Sequence, residues 1–287
     1  MTENTNTTTT RPVLVTGATG MTGRRVLSRL RERGVETRAA SRSSAWAFDW
    51  SDPTTWDRVL RGAGAVYLVQ NDLDPRTPEF VQRAVALGVD RIVQLSARGV
   101  DGPAYFEGGG EPPAHLLGER AVKASGLEWT ILRPGWFSQN FGEGLLVDGV
   151  RAGVLRLPTA DGATTWIDAE DIAAVAAAAL TEPGHHGRTY ELGGPRALTM
   201  AEAAAEISRA RGRTLRYEPI SEEEYAKGLV AEGWSEAAAG EMVVALSAIR
   251  RDLEAKVSTG VQEALGREPR DFSDYVATTF HEGWGRS

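Results

Sequence analysis

The sequence predicts an α/β fold: a doubly wound parallel sheet carrying a smaller α/β domain toward its carboxyl end. Three observations lead there. Short β-branched and aliphatic runs alternate with helical patterns through the first half of the chain, which calls for parallel strands covered by helices on both faces. The first run, Val13-Leu14-Val15, leads into glycines at three-residue spacing and then into a helical pattern. From residue 151 onward the alternation loosens, and 287 residues are enough for a nucleotide-type domain with a smaller partner.

The elements follow in order. After Val13-Leu14-Val15, the segment Thr16-Gly17-Ala18-Thr19-Gly20-Met21-Thr22-Gly23 reads as a turn, and residues 26–33 as a helix closed by Gly34. Strand, glycine-rich turn and helix make a dinucleotide-binding corner. One glycine permits the turn, the next admits a pyrophosphate, and the last lets helix and strand pack closely. The phosphates would rest on free N–H groups at the positive helix end. Residues 35–40 and 47–49 read as the next strands, 56–60 as a brief helix and 65–69 as a fourth strand. A helix over 78–87, a strand over 91–95, a helix over 114–124 and a strand over 127–132 complete the sheet.

Beyond residue 151, residues 154–157 form a predicted strand, and Asp168 caps an alanine-rich helix over 172–180. Thr199 opens a helix through Arg211, 215–218 is a strand, and Ser221 starts a helix through Glu232 with a capping-box pattern. Ala238, Met242, Val243 and Leu246 lie at helical spacing after Ser235, and Phe272, Tyr275, Val276, Phe280 and Trp284 form a closing amphipathic helix. The expected division is a polar tail over 1–10 that reads as disordered, a nucleotide domain over 11–150, and a substrate or lid region over 151–287 with some elements returning to the first core.

Ligands of such sheets sit beyond the carboxyl ends of the strands. The second strand ends in Ser41-Arg42, with no acid for ribose hydroxyls, so a 2′-phosphate and hence NADP(H) is expected. Asp49-Trp50 is a candidate adenine contact, Val69-Gln70-Asn71 a candidate ribose contact, and Ser96-Ala97 ends the fifth strand. Pro134-Gly135-Trp136-Phe137 breaks the sixth strand. Trp136, Phe137, Phe141 and Trp166 are candidate walls for an aromatic or polycyclic substrate, with ordinary core packing the other reading.

Composition removes other chemistries. There is no cysteine, which excludes disulfides, thiolate catalysis and zinc–thiolate sites. A net charge of −7 offers no basic face for nucleic acid. No apolar stretch is long enough to span a bilayer, so a cytoplasmic protein, a monomer or homodimer acting on a small molecule, is expected. His185-His186, on a Pro/Gly turn without convergent ligands, reads as exposed rather than metal-binding, and no metal is expected.

Several stretches together resemble the NmrA-like branch of the atypical short-chain dehydrogenase/reductases. They are Thr16-Gly17-Ala18-Thr19-Gly20 with Gly23, Leu132-Arg133-Pro134-Gly135-Trp136-Phe137, Trp166-Ile167-Asp168-Ala169-Glu170-Asp171-Ile172-Ala173, Leu192-Gly193-Gly194-Pro195 and Gly266-Arg267-Glu268-Pro269-Arg270-Asp271-Phe272. Ser41-Arg42, Phe48-Asp49-Trp50 and Tyr67-Leu68-Val69 look closest to the clavine (ergot-alkaloid) dehydrogenase subgroup. The resemblance implies a Rossmann domain with a small C-terminal substrate domain, a lid in the 221–246 region, and NADPH-linked reduction of an imine-, quinone- or enone-like compound. It also exposes a departure. Where the superfamily carries Tyr-x-x-x-Lys, this chain places Glu111 at the tyrosine position and His115 at the lysine position, with Pro112 and Pro113 between. Either hydride transfer here needs little acid help, with His115 holding ribose or giving a proton, or the protein senses the cofactor without turnover. Tyr105 is a further candidate donor, its alternative reading being a surface-loop tyrosine.

Overall fold

The computed structural model describes residues 11–71, 75–105, 113–281 and 284. Segment 1–10, expected to be a disordered tail, lies outside the described residues, as does Glu111. Strands β1 (Val13–Val15), β2 (Thr37–Ser41), β3 (Trp46–Ala47), β4 (Ala65–Val69), β5 (Arg91–Leu95) and β6 (Glu128–Pro134) alternate with helices α1 (Met21–Glu32), α2 (Trp56–Leu60), α3 (Thr77–Ala86) and α4 (Ala114–Ala124). Then follow α5 (Asn140–Glu143), α6 (Val147–Ala152), β7 (Val154–Leu157), β8 (Ala163–Thr164), α7 (Ala169–Thr181) and β9 (Arg188–Leu192). The chain continues through β10 (Leu198–Thr199), α8 (Met200–Arg211), β11 (Arg216–Pro219), α9 (Glu222–Ala231), α10 (Glu236–Arg250), α11 (Gly260–Leu265) and α12 (Phe272–Thr279).

The chain forms two compact units that interleave along the sequence. The first takes the chain up to Ser96, with Pro112–Leu132 and Ala173–Thr189; the second takes Ala97–Glu111, Arg133–Ile172 and Tyr190–Ser287. The main sheet has the order β3-β2-β1-β4-β5-β6-β9, and the pairs from β3 through β6 are all parallel. Its order reverses between β1 and β4, which places a ligand crevice at the carboxyl ends of those strands. The Rossmann-type fold is therefore present.

In the first unit, Leu14, Val66, Leu68, Ile92 and Ile131 pack with Trp56, Val59, Phe80 and Val122. The Arg91 guanidinium donates to the carbonyls of Ala179 and Leu180 at the end of α7, where a cation opposes the negative end of the helix. In the second unit a separate core joins Phe141, Leu155, Trp166, Ile207, Leu246, Phe272 and Tyr275. Small two-stranded sheets, β11 with β7 and β10 with β8, edge it. No helix among the described residues is long and apolar enough to cross a membrane.

Three local expectations change. Helix α1 starts at Met21, five residues before Val26, the first apolar residue of its stripe. Strand β9, whose burial alternates toward Tyr190 and Leu192, was not expected from the pattern. His185 is buried rather than exposed: its carbonyl accepts from Thr130 Oγ1 within the first unit. His186 remains exposed, its Nδ1 accepting the Trp129 N–H.

Candidate functional site

On the first unit the candidate site starts at the turn between β1 and α1. Gly17 has φ +60°, a left-handed conformation that disfavours side chains. A Cβ on Gly23 would lie 2.2 Å from the Gly17 carbonyl oxygen, so only glycine lets the helix start this close to the turn. Gly20 is the N-cap of α1, with no side-chain cap and no acidic residue in the first turn. Helix N–H groups therefore remain for an anion, and the macrodipole favours one. Thr19 and Gly20 are exposed, Met21 is half-buried, and Thr22 and Gly23 are buried.

At the end of β2, Ser41 Oγ is buried without a hydrogen-bond partner, and the Arg42 side chain is exposed beside it. An orphaned hydroxyl next to a guanidinium is a donor set suited to phosphate oxygens. The residues present thus fit a 2′-phosphorylated dinucleotide. The Arg42 charge also reaches Asp49, whose carboxyl is held below its usual range mainly by a hydrogen bond from Ser51 Oγ.

Other expected contacts are already engaged within the unit. Asp49 Oδ1 accepts from Ser51 N–H and Ser51 Oγ at 3.0 and 2.8 Å, which makes it a turn residue here. Trp50 sits in an aromatic cluster with Phe48, Trp56 and Phe80. A Cβ built on Gly17 would lie 3.1 Å from Val69 Cβ, so Val69 bounds the turn. Gln70 Oε1 accepts from Gln94 Nε2 at 3.1 Å, and Asn71 follows, half-buried. Ser96 Oγ donates to Glu119 Oε1 at 2.7 Å, and that carboxylate also takes Lys123 Nζ. His115 is half-buried in the first turn of α4, one helical turn before Glu119.

The second unit carries the other candidates. Ala97 is half-buried at its start, and Pro134 ends β6. Gly135 N–H donates to Leu192 O, the Ile167 N–H to Trp136 O, and Ser138 N–H to Ile167 O. These bonds fix the Pro134–Phe137 stretch and leave the Trp136 and Phe137 side chains half-buried. Phe141 and Trp166 are different: they are 0% and 1% exposed and stack edge-on at 4.8 Å. Their expected place on a substrate wall is corrected to the core, because neither offers surface to a ligand. Asp168 accepts from Gln139 Nε2 and from the Glu170 N–H as the cap of α7. Asp171 takes Arg267 and the Arg270 N–H.

Tyr105 is not a free surface tyrosine. It is half-buried and donates its hydroxyl to Leu253 O at 2.9 Å, and burial raises its phenol above the usual range. Beside it stands a cluster the sequence did not disclose. Arg98, 8% exposed, donates to Thr165 Oγ1, to the carbonyls of Glu254 and Lys256, and to Ser258 Oγ. Its Nη1 lies 3.6 Å from Glu254 Oε2, close enough for attraction but not for a hydrogen bond. Glu254 is 4% exposed, and burial outweighs the attraction of Arg98 to raise its carboxyl above the usual range. The only sequence signal was an arginine just past the end of a central strand.

Comparison with known proteins places the chain. Residues 17–183 match a family described as NAD(P)H-binding, and residues 117–276 match the NmrA-like family. The chain is 33% identical to prestalk A differentiation protein A of Dictyostelium discoideum, over 96% of this chain and 95% of that one. It is 35% identical to the (4-alkanoyl-5-oxo-2,5-dihydrofuran-3-yl)methyl phosphate reductase of Streptomyces griseus, over 92% and 96%. It is 32% identical to agroclavine dehydrogenase of Claviceps fusiformis, again over 92% and 96%. Among solved structures, the Citrobacter sp. triphenylmethane reductase complexed with NADP(H) superposes with a TM-score of 0.72 at 22% identity, covering 94% of this chain and 100% of that one, a likeness of fold.

Proposed function

The chain belongs to the NmrA-like family of NAD(P)H-binding proteins, and from that premise we propose that it is an NADPH-dependent reductase. The acceptor is a small, flat organic molecule of the imine, quinone or enone kind. When bound, the cofactor supplies hydride. This chain's residues hold it: the Gly17–Gly23 turn and the start of α1 take the pyrophosphate, and Ser41 with Arg42 takes the 2′-phosphate. Within the second unit, Trp136 and Phe137 offer half-buried, flat apolar area suited to such an acceptor.

The observation that carries the NADPH preference is the unpartnered Ser41 Oγ beside Arg42. Enzyme is favoured over sensor by full-length relatives named as a reductase and a dehydrogenase. The test is NADPH oxidation followed across imines, quinones and enones. Oxidation that depends on one of these acceptors supports the reading; tight NADPH binding with no oxidation by any class would favour the sensor.

A further inference from the structure

We propose that Gln94 is a positioning residue for the dinucleotide. It holds the side-chain amide of Gln70 so that its NH2 group serves the nicotinamide half, and Gly118 is a glycine because that pair needs the room. This rests on the NADPH reading above and adds to it a device built wholly inside the first unit.

The device follows from the sheet. Strands β4 and β5 pair in parallel with Leu68 opposite Gln94, and residues two apart on a strand share a face. Gln70 therefore continues the Leu68 row just past the end of β4, beside Gln94. On that face Leu68 and Ile92 pack with Phe80 of α3 and Val122 of α4, yet the next residue of the β5 row is Gln94, 0% exposed. A buried amide is costly unless it is hydrogen-bonded. Gln94 Nε2 donates to Gln70 Oε1 at 3.1 Å, while its own Oε1 is buried without a partner. An apolar side chain would suit the core better, so the amide is kept for the bond it gives Gln70. With its oxygen tied to β5, the planar Gln70 amide turns its NH2 donors to other groups.

Gly118 carries the second observation. It is buried in the interior of α4, where alanine is the better helix former. A Cβ built there would lie 2.5 Å from Gln94 Nε2, 2.6 Å from Gln70 Oε1 and 3.1 Å from Thr77 Cγ2. These three nearest atoms all belong to side chains, so a methyl group would part the two amides before it moved any backbone. The sheet order sets β2, β1, β4 and β5 side by side. With the 2′-phosphate at the end of β2 and the pyrophosphate at the turn after β1, the nicotinamide half extends over β4 and β5. Its ribose hydroxyls and carboxamide oxygen are acceptors for the Gln70 NH2 group.

Calorimetric titration compares wild type, Gly118→Ala, Gln70→Ala and the double variant. Each is titrated with NADPH and with adenosine 2′,5′-bisphosphate, which has the 2′-phosphate but no nicotinamide half. G118A should melt no lower than wild type and hold the bisphosphate equally well. It should bind NADPH about three- to tenfold more weakly, the scale of one hydrogen bond. Q70A should show the same loss, and the double variant no greater one, because both changes act through one amide. Unchanged NADPH affinity in G118A, an equal loss for the bisphosphate, or losses that multiply in the double variant would overturn the proposal. Should G118A not fold, Gln94→Met, which removes the donor and keeps the volume, is judged by the same three results. A wild type that does not bind NADPH would instead remove the NADPH reading, and the proposal with it.

Discussion

On the proposed reading Arg42 and Ser41 select the cofactor; the sequence points to both because a strand end is a fixed place in this fold. Replacing Arg42 with Ala removes charged hydrogen bonds to a 2′-phosphate, so NADPH binding should weaken by about 1.5–3 kcal/mol while NADH is barely affected. Calorimetric titration with both cofactors measures this; equal losses would take Arg42 out of the selection. Phe141 was harder to place, since an aromatic after a strand break suits a ligand wall and a core alike. The structure encloses it against Trp166 and Phe272. Phe141→Ala should therefore cost about 3–5 kcal/mol of stability through a cavity and leave NADPH affinity intact; denaturant unfolding and a cofactor titration separate the two. Arg98 and Glu254 escaped notice for another reason. They lie 156 positions apart, and only the tertiary fold makes them neighbours.

At the scale of elements, α1 shows how local propensity yields to a site. Its first turn, Met21-Thr22-Gly23-Arg24, carries a glycine and no apolar stripe, so periodicity pointed to Val26 as the start. Backbone clearance explains the earlier start. Gly23→Ala would drive a methyl group into the Gly17 carbonyl, and the forced backbone shift should cost about 1–3 kcal/mol and impair dinucleotide binding. Thermal unfolding with and without NADPH reports both; an unchanged response would contradict the close approach. Strands β4 and β5 and helices α2 and α4 were readable to the residue, because apolar runs and helical spacing there are bounded by turns. Strand β9 was not: it is short, follows the His185-Gly187 turn, and buries only alternate residues. Helix α12 was expected, but it ends at Thr279, before Phe280 and Trp284; Asp271 caps its start. Asp271 accepts the Ser273 N–H and pairs with Arg196 through two bonds of 2.7 Å.

At the scale of the whole molecule, two carboxyls give stability opposite dependences on pH. The Arg196 pair holds Asp271 well below the usual carboxylate range. Its contribution is present above the unfolded value near ~3.9 and is lost as pH falls through the folded one. Asp271→Asn should cost about 0.5–1 kcal/mol at neutral pH, a difference that shrinks below pH ~4; unfolding measured against pH checks it. Glu254 is raised by burial, so its contribution is complete below the unfolded value near ~4.3 and is lost as pH rises through the folded one. The central claim is that the amino-terminal crossover seats a 2′-phosphorylated dinucleotide. Titration of the full chain with NADPH and with NADH, followed by nicotinamide fluorescence, tests it most directly. Saturable one-to-one binding, with NADPH held at least about tenfold tighter, a difference of about 1.4 kcal/mol, is the expected result. No binding, or equal affinity for the two, would contradict it.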